Sequence, residues 1–123
     1  MDYQHFLDMG TYEFLTWLNK TFPTCVPQSI KTSQDMERAA DELLKLSSMY
    51  AYITELASWF KIATREAKRT KVKSEYENMV DKKDAVESKA SAIKQAYAGI
   101  SRAVAIRMEN NAELRMTGSK YVA

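Results

Sequence analysis

Apolar residues recur every three or four positions through two long stretches of the chain, a spacing typical of amphipathic helices. The first stretch runs over residues 33–70 and the second over residues 74–116. A short basic turn, Arg69-Thr70-Lys71-Val72-Lys73-Ser74, separates them. The pattern predicts an all-α fold: a long, coiled-coil-like antiparallel hairpin that forms a three-helix domain with a shorter N-terminal helix.

The first long stretch repeats its apolar residues every seven positions, as coiled-coil helices do. Further apolar residues lie on other faces, so we expect this central helix to be contacted on two sides. Thr32 or Ser33 is expected to cap its start, because both side chains can accept a backbone hydrogen bond there. The stripe comprises Met36, Ala39, Leu43, Leu46, Tyr50, Ile53, Ala57, Phe60 and Ala67.

The second long stretch opens with Ser74 and, three residues later, Glu77, which is the pattern of a capping box. We therefore expect this helix to begin at Ser74, and Gly118 to mark its latest end. Its stripe comprises Tyr76, Met79, Val86, Ala90, Ile93, Tyr97, Ile100 and Val104.

The residues before the hairpin predict a shorter helical segment, 1–22, and a linker, 23–32. Gly10 interrupts the helical pattern, so we expect one turn of helix and then a longer piece that Thr11 can cap. Two prolines four residues apart prevent the linker from continuing the helix.

The lengths of these pieces predict how they pack. Because the linker joins residue 33, we expect the N-terminal segment to lie beside residues 33–52 and the last part of the second helix. The hairpin tip, residues 58–85, would then be two helices without a third. Side chains near that tip become candidates for a homodimer or partner contact: Trp59, Ile62, Tyr76 and Val80.

The chain has 123 residues, enough for one domain, and only three Gly and two Pro. The sequence shows neither a basic N-terminal run followed by an apolar segment, as in a signal peptide, nor a run of 18 apolar residues. We therefore expect a cytoplasmic protein that is neither secreted nor inserted in a membrane.

Groups that carry catalysis or hold cofactors are scarce. One cysteine, Cys25, and one histidine, His5, are too few for a disulfide, zinc or haem site. The three glycines are isolated and form no phosphate-binding loop. We expect no enzyme activity, no metal and no cofactor; a reaction built on His5 and Cys25 is the disfavoured alternative.

The acidic residues of the second helix favour the same conclusion. Glu77, Asp81 and Asp84 share one face, but di-metal carboxylate bundles need Glu-x-x-His pairs, which this sequence lacks. Lys82 and Lys83 are interleaved with them, so a solvated charged face is the better interpretation.

Charge is distributed unevenly. Residues 1–60 carry four Lys/Arg against eight Asp/Glu, and residues 61–123 carry fourteen against eight. The densest positive cluster lies around the turn, where thirteen residues hold one acidic side chain, Glu66. The cluster comprises Lys61, Arg65, Lys68, Arg69, Lys71 and Lys73, and Lys82 and Lys83 follow on the second helix.

Like charges four residues apart on a helix repel and contribute nothing to folding, so the cluster suggests a binding role. Phosphate contacts with stacking on Trp59 or Tyr76 would suit a single-stranded nucleic acid. The alternative remains that cations at a helix end complement its dipole and keep the protein soluble.

The last two-thirds of the chain resembles short helical proteins encoded by phages and prophages of Gram-positive bacteria. The resemblance implies a phage accessory role in a bacterial host cell, either near recombination and replication or as an inhibitor of a host defence enzyme. It carries over no functional residue. The runs that carry it are Ser74-Glu75-Tyr76-Glu77-Asn78-Met79-Val80-Asp81-Lys82-Lys83-Asp84-Ala85, Gln95-Ala96-Tyr97-Ala98-Gly99-Ile100-Ser101-Arg102 and Glu109-Asn110-Asn111-Ala112-Glu113-Leu114-Arg115-Met116.

Our hypothesis from the sequence is a non-enzymatic interaction protein. In its most concrete form it is an anti-CRISPR-like inhibitor whose partner is a host nuclease or nucleoprotein complex. The alternative is a basic accessory protein that binds single-stranded DNA or RNA during phage recombination or replication.

Overall fold

The computed structural model is all-helical and describes residues 3–24 and 30–122, with side chains described as far as residue 110. The two long helices pack antiparallel as a hairpin, which confirms the predicted fold class. The helices are α1 (His5–Asp8), α2 (Thr11–Thr21), α3 (Ser33–Thr70) and α4 (Lys73–Val122).

The start of α3 is fixed by a capping box. The hydroxyl of Thr32 accepts a hydrogen bond from the backbone N–H of Asp35 at 3.1 Å. The Asp35 carboxylate in turn accepts from the backbone N–H groups of Lys31 and Thr32, at 3.0 and 3.1 Å. These bonds stabilise the charged carboxylate and lower the pKa of Asp35. Of the two predicted caps, the structure selects Thr32.

The start and end of α4 differ from the prediction. The helix begins at Lys73, and the backbone N–H of Tyr76 donates to the Val72 carbonyl at 3.0 Å. Ser74 therefore lies inside the first turn, and the predicted Ser74–Glu77 capping box is wrong. The backbone also stays helical past Gly118, because one glycine costs a helix only about 1 kcal/mol and does not force its end.

The second piece of the N-terminal segment begins one residue earlier than a Thr11 cap requires. Gly10 is the residue that precedes α2, and Thr11 is already helical. The predicted division into one helical turn and a longer helix is confirmed by α1 and α2. Residues 25–29 of the predicted linker, Cys25 among them, lie outside the described residues.

The core of the hairpin follows the seven-residue repeat. Side chains seven positions apart on α3 face a matching set on α4, and their exposed fractions are all below a tenth. This burial confirms the predicted stripes along most of the hairpin, but Tyr50 and Tyr97, which were predicted to belong to them, stay exposed. The two sets are Ala39, Leu46, Ile53, Phe60 and Ala67 on α3, and Met79, Val86, Ile93 and Ile100 on α4.

The N-terminal segment packs on the half of the hairpin that ends at the turn. Its aromatic rings interlock with rings of α3, and Phe14 and Leu18 of α2 are almost inaccessible to solvent. Such ring pairs add to the stability that their buried area provides. The ring centroids lie 5.9 Å apart for Tyr3–Trp59, 5.5 Å for Phe14–Phe60 and 5.5 Å for Phe22–Tyr52.

This position contradicts the prediction that the N-terminal segment lies beside residues 33–52. The end of α2 meets Tyr52, about 30 Å along α3 from Thr32 at 1.5 Å per residue. A ten-residue linker spans about 33 Å when extended, so it can reach that far without holding α2 near residue 33. The hairpin tip is covered on one side rather than bare.

Within the described residues, no helix combines the length and the apolar character needed to cross a bilayer.

Candidate partner-binding surface

The basic tip is the strongest candidate site, and we define it as Lys61, Arg65, Lys68, Arg69, Lys71 and Lys73. All six side chains are exposed. The four on α3 belong to its last three turns, Lys71 directly follows the helix, and Lys73 begins α4. The fold thus brings together at one end of the molecule the cations that the sequence placed around the turn.

The charges of the basic tip are not neutralised inside the described part of the molecule. No side chain of the basic tip forms an ion pair within the described residues. Glu66, the acidic residue between Lys61 and Lys73, is itself exposed. The tip therefore presents a net charge of +5 to solvent over thirteen residues.

The basic tip also has a defined direction. Lys61, Arg65 and Lys68 follow one another at spacings of four and three, so they line one side of α3. Trp59 lies on another side, where its ring meets Tyr3. The cations thus face away from the N-terminal segment and remain accessible along about two turns of helix.

Lys82, one of the predicted binding residues, belongs to the core instead. Only 3% of its surface is exposed. Its ammonium donates hydrogen bonds to the carbonyls of Phe6, Leu7 and Met9, at 2.9, 3.3 and 2.6 Å. It also stands 5.9 Å from the centre of the Phe14 ring, within the range of a cation–π interaction. The prediction that Lys82 contacts a partner is wrong.

The environment of Lys82 explains how a charge is tolerated there. Burial lowers the pKa of its ammonium, and the carboxylates of Asp8 and Glu13 act in the opposite direction. The last carbonyls of a helix have no intrahelical partner and carry the negative end of its dipole. Lys82 therefore donates hydrogen bonds to the carbonyls at the end of α1 and holds the N-terminal segment against α4.

The charge of Lys83 is also less available to a partner than the sequence predicted. Its side chain is 23% exposed and its ammonium lies 3.4 Å from an Asp84 carboxylate oxygen and 3.6 Å from one of Glu87. Its charge is thus already partly balanced within the chain.

The two aromatic residues predicted to stack on bases differ in accessibility. The Trp59 ring packs against Phe60, with centroids 5.1 Å apart, as well as against Tyr3. Trp59 therefore serves the core that joins α1 to α3. Tyr76, in the first turn of α4, is half-buried. The basic tip consequently offers charge more than a stacking platform.

The structure brings no catalytic constellation together in the part it describes. His5 is exposed on α1, and its ring contacts Phe6 at a centroid distance of 4.0 Å. Cys25, the nucleophile of the disfavoured alternative, lies outside the described residues. No group of three His, Cys, Asp or Glu side chains suited to a metal ion occurs among the residues described.

A cavity of about 380 Å³ lies between α1 and the tip of the hairpin. Trp59, Ile62, Glu66, Lys71 and Met79 contribute to its lining. The cavity contains no nucleophile paired with a base, so its chemistry does not point to a reaction.

The spacing of apolar residues on α4 carries a signal for the buried position of Lys82. The α4 stripe passes from Met79 to Val86, and a repeat of seven needs a further inward position between them. Only Lys82 and Lys83 are available there. A lysine at such a gap belongs to the core when a neighbouring element supplies oxygen atoms to its ammonium.

Comparison of the chain with protein-family models, with curated proteins and with solved structures finds no match.

Proposed function

We propose that the protein acts without catalysis and binds another macromolecule through the basic tip. The observation that carries this proposal is the group of six exposed cations that form no ion pair within the described residues. Neighbours such as Lys61 and Arg65, four residues apart, cost the helix a few tenths of a kcal/mol by repulsion. An anionic partner would turn that repulsion into attraction.

The most concrete form of the proposal is a phage-encoded inhibitor of a host nucleic-acid-directed defence enzyme. The resemblance to phage and prophage proteins supports the setting, and the basic tip supports an acidic or nucleic-acid-loaded surface on the partner. Opposite potentials on two surfaces increase the rate of their encounter and select the partner. A host nuclease or its nucleoprotein complex meets this requirement.

The second candidate is an accessory protein that binds single-stranded DNA or RNA. The unpaired cations favour it, because phosphate contacts dominate such binding. Single-strand binders also stack bases on aromatic rings, however. Since Trp59 is engaged with Tyr3 and Phe60, Tyr76 alone remains beside the tip, which places this candidate second.

The test of the proposed function reverses two cations of the basic tip. The Lys68→Glu, Arg69→Glu variant is expected to lose protection of an infecting phage in cells that carry a nucleic-acid-directed nuclease. The matched control, Arg38→Glu with Lys45→Glu, makes the same change in charge at exposed positions near the start of α3 and should protect normally. Equal protection by both variants, or none by the wild type, would contradict inhibition through the tip.

A salt titration separates the two candidates. Direct binding of a single-stranded oligonucleotide should weaken with salt by about 0.7 logarithmic units per phosphate contact. The Lys68→Glu, Arg69→Glu variant should flatten that slope by about 1 to 2 units. Protection of phage by a protein that binds no oligonucleotide at low salt would instead favour a protein partner.

A further inference from the structure

One side of α3 faces away from both α4 and the N-terminal segment, and we call it the outer face. Its central row has a spacing of seven: Glu37, Leu44, Ala51, Ser58 and Arg65. All five side chains are exposed, and Leu44 retains 71% of its accessible surface. One flanking row holds Ala40, Ser47, Thr54 and Lys61. The row on the other side holds Asp41, Ser48, Glu55 and Ile62, of which Glu55 and Ile62 border the N-terminal segment.

The middle of the outer face has unusually small side chains and few charges for an exposed helix surface. Between Leu44 and Ser58 the central and first flanking rows hold only alanine, serine and threonine. The Thr54 hydroxyl donates to the carbonyls of Tyr50 and Ala51, at 2.8 and 3.0 Å, so its polar group is satisfied within the helix. Small side chains let a second helix approach closely, to an interaxial distance of about 8 Å.

The charges at the two ends of the outer face are arranged symmetrically about Ala51. Asp41 and Lys61 each lie ten residues from it, and Glu37 and Arg65 each lie fourteen residues from it. These intervals correspond to about 15 and 21 Å along the helix. The acidic pair precedes Ala51 and the basic pair follows it. None of the four side chains forms an ion pair within the described residues.

We propose that the outer face binds a second copy of the chain, with the two α3 helices antiparallel and a two-fold axis at Ala51. An isologous contact requires a surface that is complementary to itself. Antiparallel pairing meets this requirement, because it puts Arg65 of each copy against Glu37 of the other in the central row, with Lys61 and Asp41 at the same height on opposite edges of the contact. Leu44 of one copy then lies opposite Ser58 of its partner, where the small side chain leaves room for it.

The dimer goes beyond the proposed function and is compatible with it. Lys68, Arg69, Lys71 and Lys73 lie past the paired region, so each copy keeps four cations of its basic tip. Nineteen residues separate Ala51 from the end of α3 at Thr70, so the two tips would stand about 57 Å apart. The protein would then present two binding ends, one at each extremity.

The first experiment measures the mass of the full chain in solution at low ionic strength. Wild type is expected at twice the mass of one chain. Ala51→Glu puts like charges against each other at the axis and should give a monomer. Ala98→Glu makes the same change at an exposed alanine on α4 and should stay dimeric. A monomeric wild type, or a dimeric Ala51→Glu variant, would overturn the proposal.

The second experiment tests the antiparallel register by exchanging charges. Glu37→Lys with Asp41→Lys, and separately Lys61→Glu with Arg65→Glu, should each raise the dissociation constant of the dimer about 100-fold or more. An equimolar mixture of these two variants should recover the dimer, because every contact again joins opposite charges. The substituted side chains are exposed, and unchanged helicity by circular dichroism verifies folding. Two folded variants that remain monomeric when mixed would exclude this pairing.

Failure of the dimer and failure of the proposed function are distinguishable. The Lys68→Glu, Arg69→Glu variant changes positions beyond the paired region and should still dimerise. The Ala51→Glu variant leaves the basic tip intact and reports whether a single tip is sufficient for binding.

Discussion

The side chain of Lys82 shows how one residue decides where an element docks. Its ammonium is taken out of water, which is unfavourable unless good partners replace the lost hydration. Three carbonyls at the end of α1 supply them, and the same contact satisfies backbone oxygens that would otherwise be unpaired. The buried ammonium of Lys82 therefore requires these carbonyls and so selects one docking position for the N-terminal segment. A leucine at the same place would pack against any apolar surface and would not select it.

Lys82→Met removes the ammonium and keeps an unbranched chain of similar length. The carbonyls of Phe6, Leu7 and Met9 then lose their donor, so we expect the free energy of unfolding to fall by about 1–3 kcal/mol. Urea denaturation followed by the fluorescence of Trp17 and Trp59 measures the change. Lys83→Met, one residue along and partly exposed, should change stability much less. Equal stability of the Lys82 variant and wild type would contradict the role assigned to this residue.

The same variant has a second readout in its dependence on pH. Because burial lowers the pKa of Lys82, the unfolded chain binds more protons than the folded chain between that value and the ordinary lysine value of 10.5. The free energy of unfolding that depends on Lys82 therefore rises with pH through this interval. Wild type should gain stability relative to Lys82→Met as the pH increases. The titrations of Tyr3 and Tyr52 occur in both proteins and therefore cancel from the comparison.

At the scale of elements, α3 was predictable because its signals are local. The bounds 33–70 follow from the cap at Thr32 and from the end of the seven-residue repeat at the basic turn. The start of α4 was missed by one residue because Ser74 is as acceptable inside the first turn as before it. The hairpin itself follows from two stripes and a short turn.

The position of the N-terminal segment was not predictable from the same pattern. The α3 stripe repeats evenly, so it offers similar apolar surface along its whole length. The docking position depends on particular partners instead: the rings of Tyr52, Trp59 and Phe60, and the ammonium of Lys82. These preferences appear only when residues far apart in the sequence are placed side by side. The basic tip was predictable as a cluster, since its six cations are close in sequence.

Phe60 is the point at which α2 and α3 share their packing, so it tests this docking. The side chain is fully buried and its ring centroid lies 5.5 Å from that of Phe14. We expect Phe60→Ala to lower the free energy of unfolding by about 3–5 kcal/mol, because it leaves a cavity between two elements. Ile62→Ala, two residues along on a side chain that is 60% exposed, should change it by less than about 0.5 kcal/mol. Thermal unfolding of both variants checks the contrast, and similar losses would contradict this placement of α2.

At the scale of the whole molecule, the two ends of the hairpin differ. The end at the turn has three layers, because α1 and α2 pack on it. The other end consists of the first half of α3 and the later half of α4, and several apolar side chains there stay exposed. They include Leu44, Tyr50, Tyr97, Ile106 and Met108. α4 also has 50 residues against 38 in α3, so it extends past the start of its partner.

This asymmetry predicts a gradient of local stability along the hairpin. Amide hydrogens open more slowly where more apolar surface must be exposed to release them. Amides of residues 53–64 and 79–93, under the N-terminal segment, should exchange with solvent most slowly. Those of residues 33–45 and 100–110 should exchange much faster. Hydrogen exchange measured by NMR or mass spectrometry reports the gradient. The measurement uses the Ala51→Glu variant, so that a second copy of the chain does not cover the outer face of α3. Equal protection at both ends, or faster exchange at the tip, would show that the third layer does not stabilise the tip.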